Sequence, residues 1–170
     1  NVDELIESYL KSKKEISAEE LAPIADIEVS RGKIQVGDVM LQTKGKVIQA
    51  TVSGKPISIT PSGAGVEITE EDIQVRANRV SVTQGTLLVD GAPVRVSARK
   101  AIAQITEEEM GDIVLRKTNE TAVYEVSVPL KRRLFGFIPV NVRKIVQIDA
   151  SKDGQIISER TPWWSSLFAP

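Results

Sequence analysis

The sequence predicts an α+β protein that is dominated by strands, with an N-terminal helical segment, antiparallel sheets and a C-terminal helix-plus-sheet region. Three observations lead to this prediction. Apolar residues recur at helical spacing near the start of the chain, short Val- and Ile-rich stretches alternate with polar residues from residue 27 to 97, and two longer alternating stretches follow residue 120. We therefore divide the chain into residues 1–26, 27–97 and 98–170.

The N-terminal segment, residues 1–26, has the pattern of two short helices. Four apolar residues after Asp3 share one helical face: Leu5, Ile6, Tyr9 and Leu10. Ser17 and Glu20 have the spacing of a capping box, and Pro23 is expected to end the helix that they open. We interpret this segment as a lead-in to the strands.

The central region, residues 27–97, contains two similar stretches. Residues 34–36 and 73–75 are both Ile-Gln-Val, and the Gly-Lys-Pro of residues 54–56 corresponds to the Gly-Ala-Pro of residues 91–93. One interpretation is a duplicated β-meander, which makes this a β-rich region of two related units. The other is that Val-rich strands with glycine turns resemble one another by chance.

The C-terminal region, residues 98–170, begins with a predicted helix in "SARKAIAQ" and a short capped turn in "ITEEEMG". Two long strands are predicted over residues 121–130 and 140–149, followed by a turn and a closing strand. The hairpin between the long strands holds "KRRLFGFIP", which is more apolar and more basic than ordinary hairpin turns.

The end of residues 98–160 contains a strand, an Asp-Ala pair, a glycine turn and a closing strand. The residues concerned are Tyr124, Glu125, Val126, Ile148, Asp149, Ala150, Gly154 and Ile156. In this order residues 98–160 resemble the PepSY domain family, whose members typically end in the same way. The resemblance implies a small α+β module that is extracytoplasmic or membrane-associated, in some cases linked to the regulation of secreted peptidases. It does not imply catalysis.

The composition argues against most common enzyme designs. The chain has no His and no Cys, which removes Ser-His-Asp triads, Cys nucleophiles and the usual zinc sites. Its 22 Lys and Arg against 23 Asp and Glu give no field that favours nucleic acid. We predict a non-enzymatic protein with no cofactor, no metal and no catalytic residues, although an enzyme using carboxylates or Lys stays open as a less favoured alternative.

The aromatic residues identify a candidate binding surface. Five of the seven aromatic residues fall in the last 36 positions, close in sequence to a basic run. The predicted surface consists of Lys131, Arg132, Arg133, Phe135, Phe137, Trp163, Trp164 and Phe168. In one interpretation the C-terminal tail packs its tryptophans against the two hairpin phenylalanines. In the other, the residues form an exposed surface for a protein partner or an anionic membrane.

These observations lead to one functional hypothesis and an alternative. We expect a binding or scaffolding module of the cell envelope or exterior, recognising a protein through the C-terminal aromatic-basic surface. The alternative is a membrane-surface module tethered by an N-terminal anchor. Because the first residue is Asn1 rather than Met, we expect a signal peptide or anchor to precede it.

Overall fold

Two β-sheets dominate the structure, a computed structural model that describes residues 2–106 and 109–161. The side chains of Val2, Asp3, Ile6, Arg132 and Leu134 lie outside that description. The described helices are α1 (Val2–Lys11), α2 (Ala18–Leu21) and α3 (Ala98–Ile102). None of them is long and apolar enough to cross a membrane.

A nine-stranded mixed sheet forms the larger layer. Along the sheet, its strands are β1 (Glu15–Ser17), β5 (Val47–Val52), β6 (Lys55–Ser62), β7 (Gly65–Glu70), β8 (Ile73–Ala77), β12 (Ile113–Thr118), β13 (Thr121–Leu134), β14 (Ile138–Asp149) and β15 (Ile156–Arg160). The pairs β1–β5 and β8–β12 are parallel, and the other neighbours are antiparallel. This sheet takes strands from all three predicted segments, whose division stays a prediction about the sequence.

A six-stranded antiparallel sheet forms the second layer. Along the sheet, its strands are β11 (Ala92–Pro93), β10 (Thr86–Val89), β9 (Arg79–Thr83), β2 (Ile27–Ser30), β3 (Lys33–Val36) and β4 (Val39–Leu41). It packs on one face of the larger sheet, with β2 over β6 and β7 and β10 over β5 and β12. The aliphatic residues between the layers form one continuous core, as in other two-layer β architectures.

Tight turns connect several neighbouring strands. The turns at Ser53–Gly54, Gln84–Gly85, Asp90–Gly91 and Asn119–Glu120 each have positive φ at both central residues. This geometry matches the twist of the strands it joins, so it favours antiparallel hairpins. Alternation with period two then places every second side chain in the core, as in the pattern of β8.

The predicted fold class is wrong in two respects. The C-terminal region is not a helix-plus-sheet domain, because α3 has only five residues and strands β12 to β15 continue the large sheet. The sheets are not all antiparallel, since the larger one is mixed. Strands make up more than half of the described residues, and the three helices are short. The alternation of apolar and polar residues predicts where strands occur but not which strands pair, because partners such as β8 and β12 are far apart in sequence.

The predicted local features have different outcomes. Ser17 caps α2 by accepting a hydrogen bond from the Glu20 N–H at 3.4 Å, which confirms the helix start. The Ile-Gln-Val stretches of the suggested repeat lie in different sheets, in β3 and β8, and the repeat stays a prediction. The predicted turn in "ITEEEMG" includes residues 107 and 108, which lie outside the described residues.

Candidate functional site

A two-stranded arm projects from the larger sheet and carries the predicted basic-aromatic hairpin. β13 and β14 stay in register from Val123–Asp149 to Leu134–Ile138. Their neighbours reach only part of this length, because β12 pairs with β13 as far as Val126 and β15 pairs with β14 from Ile145. We call residues 128–143 the arm, and its two strands pair only with each other beyond the base.

The tip of the arm is a three-residue loop with an unusual backbone. Phe135 has φ +55° and Gly136 has φ +84°, between the paired residues Leu134 and Ile138. Glycine adopts this left-handed conformation freely, whereas a bulky residue is disfavoured by about 1 kcal/mol or more. The tip therefore holds a phenylalanine where backbone preference alone would select Gly, Asn or Asp.

The apolar side chains at the tip face solvent. Phe135 is 79% exposed, Phe137 is 73% exposed and Ile138 is 40% exposed. Large apolar side chains that are exposed side by side form the kind of small patch that often marks an interaction site.

One face of the arm is cationic. Lys131, Arg133 and Arg143 occupy alternate or cross-strand positions on the same face, as the pairs Lys131–Asn141, Arg133–Pro139 and Pro129–Arg143 show. All three are exposed, and none makes an ion pair with a described residue. From residue 127 to 144 the sequence has five Lys and Arg and no Asp or Glu. The arm is thus strongly basic in a chain of net charge −1.

The opposite face of the arm joins the protein interior at its base. Val128 and Val142 are buried, and Leu130 packs at the edge of the core. This apolar root fixes where the arm leaves the sheet. The exposed cations and phenylalanines lie on a ribbon about 23 Å long, from seven residues at about 3.3 Å each.

The structure brings together part of the predicted surface. Lys131, Arg133, Phe135 and Phe137 lie near the end of the arm, and Arg132 lies in β13 between the two cations. The remaining members, Trp163, Trp164 and Phe168, lie outside the described residues, and so does the predicted packing of the tail on the arm.

Sequence reasoning missed two members of this surface, Ile138 and Arg143. Ile138 faces solvent beside Phe137, and Arg143 extends the cationic face. The signal for Arg143 was available in principle, because an in-register hairpin centred on Gly136 places Pro129 opposite it and Lys131 on the same face.

Residues of the PepSY resemblance surround the turn after β14, at the end of that strand opposite the arm. The Asp149 carboxylate accepts hydrogen bonds from the N–H groups of Ser151 at 3.0 Å, Lys152 at 3.2 Å and Asp153 at 3.1 Å. Burial opposes ionisation of Asp149, but these bonds outweigh it and hold the pKa of its carboxyl below the usual range. Gly154 has φ +74° in the same turn. The Asp and Gly of the motif thus organise this turn.

Two buried polar side chains connect the same region to α3. The Tyr124 hydroxyl donates to the carbonyl oxygen of Val96 at 2.7 Å, and burial raises the pKa of Tyr124 well above its usual value. The Glu70 carboxylate accepts from the N–H groups of Ala98 at 3.1 Å and Arg99 at 3.2 Å. A carboxylate at a helix start satisfies backbone donors, so the Glu70 contacts are structural.

A cleft of about 700 Å³ lies beside α3, between β8 and β12. Four of its five charged lining residues form ion pairs, Arg76 with Asp112 at 2.6 Å and Arg99 with Asp72 at 2.5 Å, and the fifth is the half-buried Glu67. All four are substantially exposed to solvent. Because Asp72 and Asp112 are both exposed and paired with an arginine, neither has an environment that favours acid or base catalysis. We assign no catalytic residue here.

Comparisons of the chain with protein-family models, with curated proteins and with solved structures find no match.

Proposed function

We propose that this protein is a non-enzymatic binding module that recognises a partner protein through the arm. The observation that carries the proposal is the exposure of Phe135 and Phe137 at a tip whose backbone disfavours a bulky residue. Strained positions held by bulky side chains are found preferentially where function requires them. The partner that fits is a protein with an apolar pocket for the two rings and acidic residues around it, complementary to the cationic face.

The arm supplies the elements of a small, specific interface. Aromatic and Arg side chains carry a large share of binding energy in protein interfaces. The cationic face would speed encounter with an acidic partner and would make association sensitive to salt. The envelope location and the relationship of residues 98–160 to the PepSY family belong to the same proposal, and they rest on the sequence resemblance.

Site-specific photo-crosslinking tests this proposal. A photoreactive phenylalanine analogue at position 137 should crosslink one main protein in envelope extracts, and the same analogue at Ile24, which is 57% exposed and lies outside the arm, should not. The purified partner should then bind the Phe135→Ser/Phe137→Ser variant at least about tenfold more weakly, a loss of about 1.4 kcal/mol. Equal affinity of the variant and the wild type for that partner would contradict the proposal.

A membrane surface is the second candidate, and the lack of any carboxylate between residues 127 and 144 favours it. Each cation near an anionic leaflet contributes about 1 kcal/mol, and an apolar tip can enter the headgroup region. Flotation with vesicles of phosphatidylcholine, with and without anionic lipid, decides between the candidates. If the protein does not float with anionic vesicles at low salt, the membrane candidate is excluded.

A further inference from the structure

A lysine-rich groove lies between the end of α1 and β4. It has a volume of about 640 Å³, and its lining includes Lys11, Lys13, Lys14, Lys44 and Lys46. The one carboxylate among its lining residues is Glu7, which pairs with Lys11 at 2.8 Å. The described groove therefore has a formal charge of +4, although the whole chain has a net charge of −1.

Two of these lysines have structural partners. Lys46 is buried, and its ammonium donates to the carbonyl oxygens of Leu10 and Lys13, each at 2.7 Å. These bonds satisfy carbonyls at the C-terminal end of α1, where a cation is favourable. The Lys13 ammonium lies 4.5 Å from the centre of the Tyr9 ring. The Lys46 hydrogen bonds therefore fix one positive charge in the lining of the groove.

The remaining two lysines of the groove are available to contact a ligand. Lys14 and Lys44 are exposed, and neither makes an ion pair or a side-chain hydrogen bond with a described residue. Like charges that are gathered in one place repel each other and destabilise a fold. Because Lys14 and Lys44 have no such structural partner, their position in the lining of one concave site together with Lys46 points to an anion.

We infer that this groove binds an oligophosphate group, carried either by a free small molecule or by a phosphorylated lipid headgroup. A group with several negative charges matches a groove of formal charge +4 better than a single carboxylate does. Lysine binds phosphate as a compact point charge without demanding one planar geometry, which suits an open groove. The volume lies within the range of ordinary small-molecule sites, about 300–1,000 Å³.

The groove is independent of the arm because the two lie at opposite ends of the larger sheet. Following the pairing from β13 through β12, β8, β7 and β6 shows that β5 and β1 run in the same direction as β13. Lys14 and Lys46 directly precede β1 and β5 and lie where those strands begin. The arm tip lies where β13 ends, so substitution at one site leaves the other intact.

Calorimetric titration of the protein with sodium tripolyphosphate, in a phosphate-free buffer at low salt, tests the inference. Saturable binding is expected, and the Lys14→Gln/Lys44→Gln variant should bind about tenfold or more weakly. The matched control is Lys33→Gln/Lys152→Gln, which removes the same charge from two exposed lysines outside the groove. The control and Phe135→Ser/Phe137→Ser should both keep wild-type affinity.

A second arm of the experiment identifies the source of the phosphate. Vesicles containing a phosphoinositide are compared with vesicles of equal charge made with phosphatidylserine, using the same variants. Binding that needs Lys14 and Lys44 and is specific for the phosphoinositide would support a lipid headgroup. Saturable binding to tripolyphosphate alone would support a free ligand. If neither ligand binds, or if the control loses as much affinity as the groove variant, the inference is overturned.

Discussion

In the covered part of the large sheet and in the arm, side chains alternate between the two faces of the strands. The two regions differ in whether another layer packs on one of those faces. In β5, every second side chain is buried, because the six-stranded sheet packs on that face. On the arm, the strands continue past their neighbours, and the residues near the tip are exposed on both strands. Packing explains the aliphatic residues of the sandwich, by which we mean the two sheets where they cover each other. It does not explain Phe135 and Phe137, which face solvent.

This difference separates residues that the fold requires from residues that are candidates for binding. In the sandwich, a residue's contribution should appear as stability. At the arm tip, a residue's contribution should appear as binding and hardly at all as stability. Four sets of substitutions test that distinction, in order of decreasing expected effect.

The largest contrast is expected between the two ends of β14. Ile148 near one end is fully buried, whereas Phe137 lies in the tip loop, directly before the other end. Ile148→Ala should lower the free energy of unfolding by about 3 kcal/mol, because it removes buried methyl groups and leaves a cavity. Phe137→Ala should change it by less than about 0.5 kcal/mol, the usual range for exposed sites. Urea denaturation measures both, and similar losses in the two variants would show that the Phe137 ring is packed.

The start of α3 offers the next test. Glu70→Ala should cost about 2 kcal/mol, because it leaves the buried N–H of Ala98 and the partly buried N–H of Arg99 without their acceptor. Asp72→Ala is the control, since Asp72 is exposed and its ion pair with Arg99 is worth at most about 1 kcal/mol. A loss in Glu70→Ala no larger than that in the control would contradict the structural role of Glu70.

Local features of the fold were predictable from sequence, because they depend on neighbouring residues. The Ser17 cap and the strand pattern of residues 73–77 follow from side chains within a few positions. The parallel pair β8–β12 does not, because it joins segments separated by the whole of β9, β10, β11 and α3. The helix-plus-sheet prediction failed for the same reason: a short helical pattern says nothing about which sheet the following strands join.

The arm and the lysine groove differ in the same way in how far they could be predicted from sequence. Lys131, Phe135 and Phe137 are close in sequence, so a basic-aromatic hairpin could be predicted directly. Arg143 required the register of the hairpin. The lysine groove was missed, since it joins residues 11–14 to residues 44–46, and only the docking of α1 on β4 brings them together.

The turn at Asp149 should give a smaller, pH-dependent effect. Asp149→Asn should cost about 1–2 kcal/mol at pH 7, because it weakens hydrogen bonds to a charged acceptor. The pKa of Asp149 is lower in the folded state than in the unfolded chain, so the ionised carboxyl stabilises the fold above the unfolded value of about 3.9. As the pH falls through the folded-state pKa, this stabilisation is lost.

Urea denaturation between pH 7 and pH 2.5 measures this dependence. The difference between wild type and Asp149→Asn should shrink below about pH 4. Asp38→Asn, at an exposed position, is the matched control and should change the free energy of unfolding at pH 7 by less than about 0.5 kcal/mol. A constant difference for Asp149→Asn across this range would show that its carboxylate is not stabilised by the turn.

The smallest effect on global stability is expected at the arm tip. Gly136 and Gly54 have similar φ values, +84° and +78°, and a Cβ at either site would meet open space. Substitution by alanine should cost about 1 kcal/mol at each site, since only the backbone conformation is strained. Gly54 joins two strands of the sandwich, so Gly54→Ala should lower the global free energy of unfolding by that amount.

At Gly136 the same substitution should favour local opening of the arm rather than global unfolding, because the two strands of the arm pair only with each other. Amide hydrogens of the arm should exchange about fivefold faster in Gly136→Ala, whereas the global unfolding free energy should change by less than about 0.3 kcal/mol. Hydrogen exchange followed by NMR distinguishes local opening of the arm from global unfolding. If Gly136→Ala lowers global stability as much as Gly54→Ala does, the arm unfolds together with the sandwich. Its strands would then be part of the cooperative core, and the separation between a packed sandwich and a free binding arm would fail.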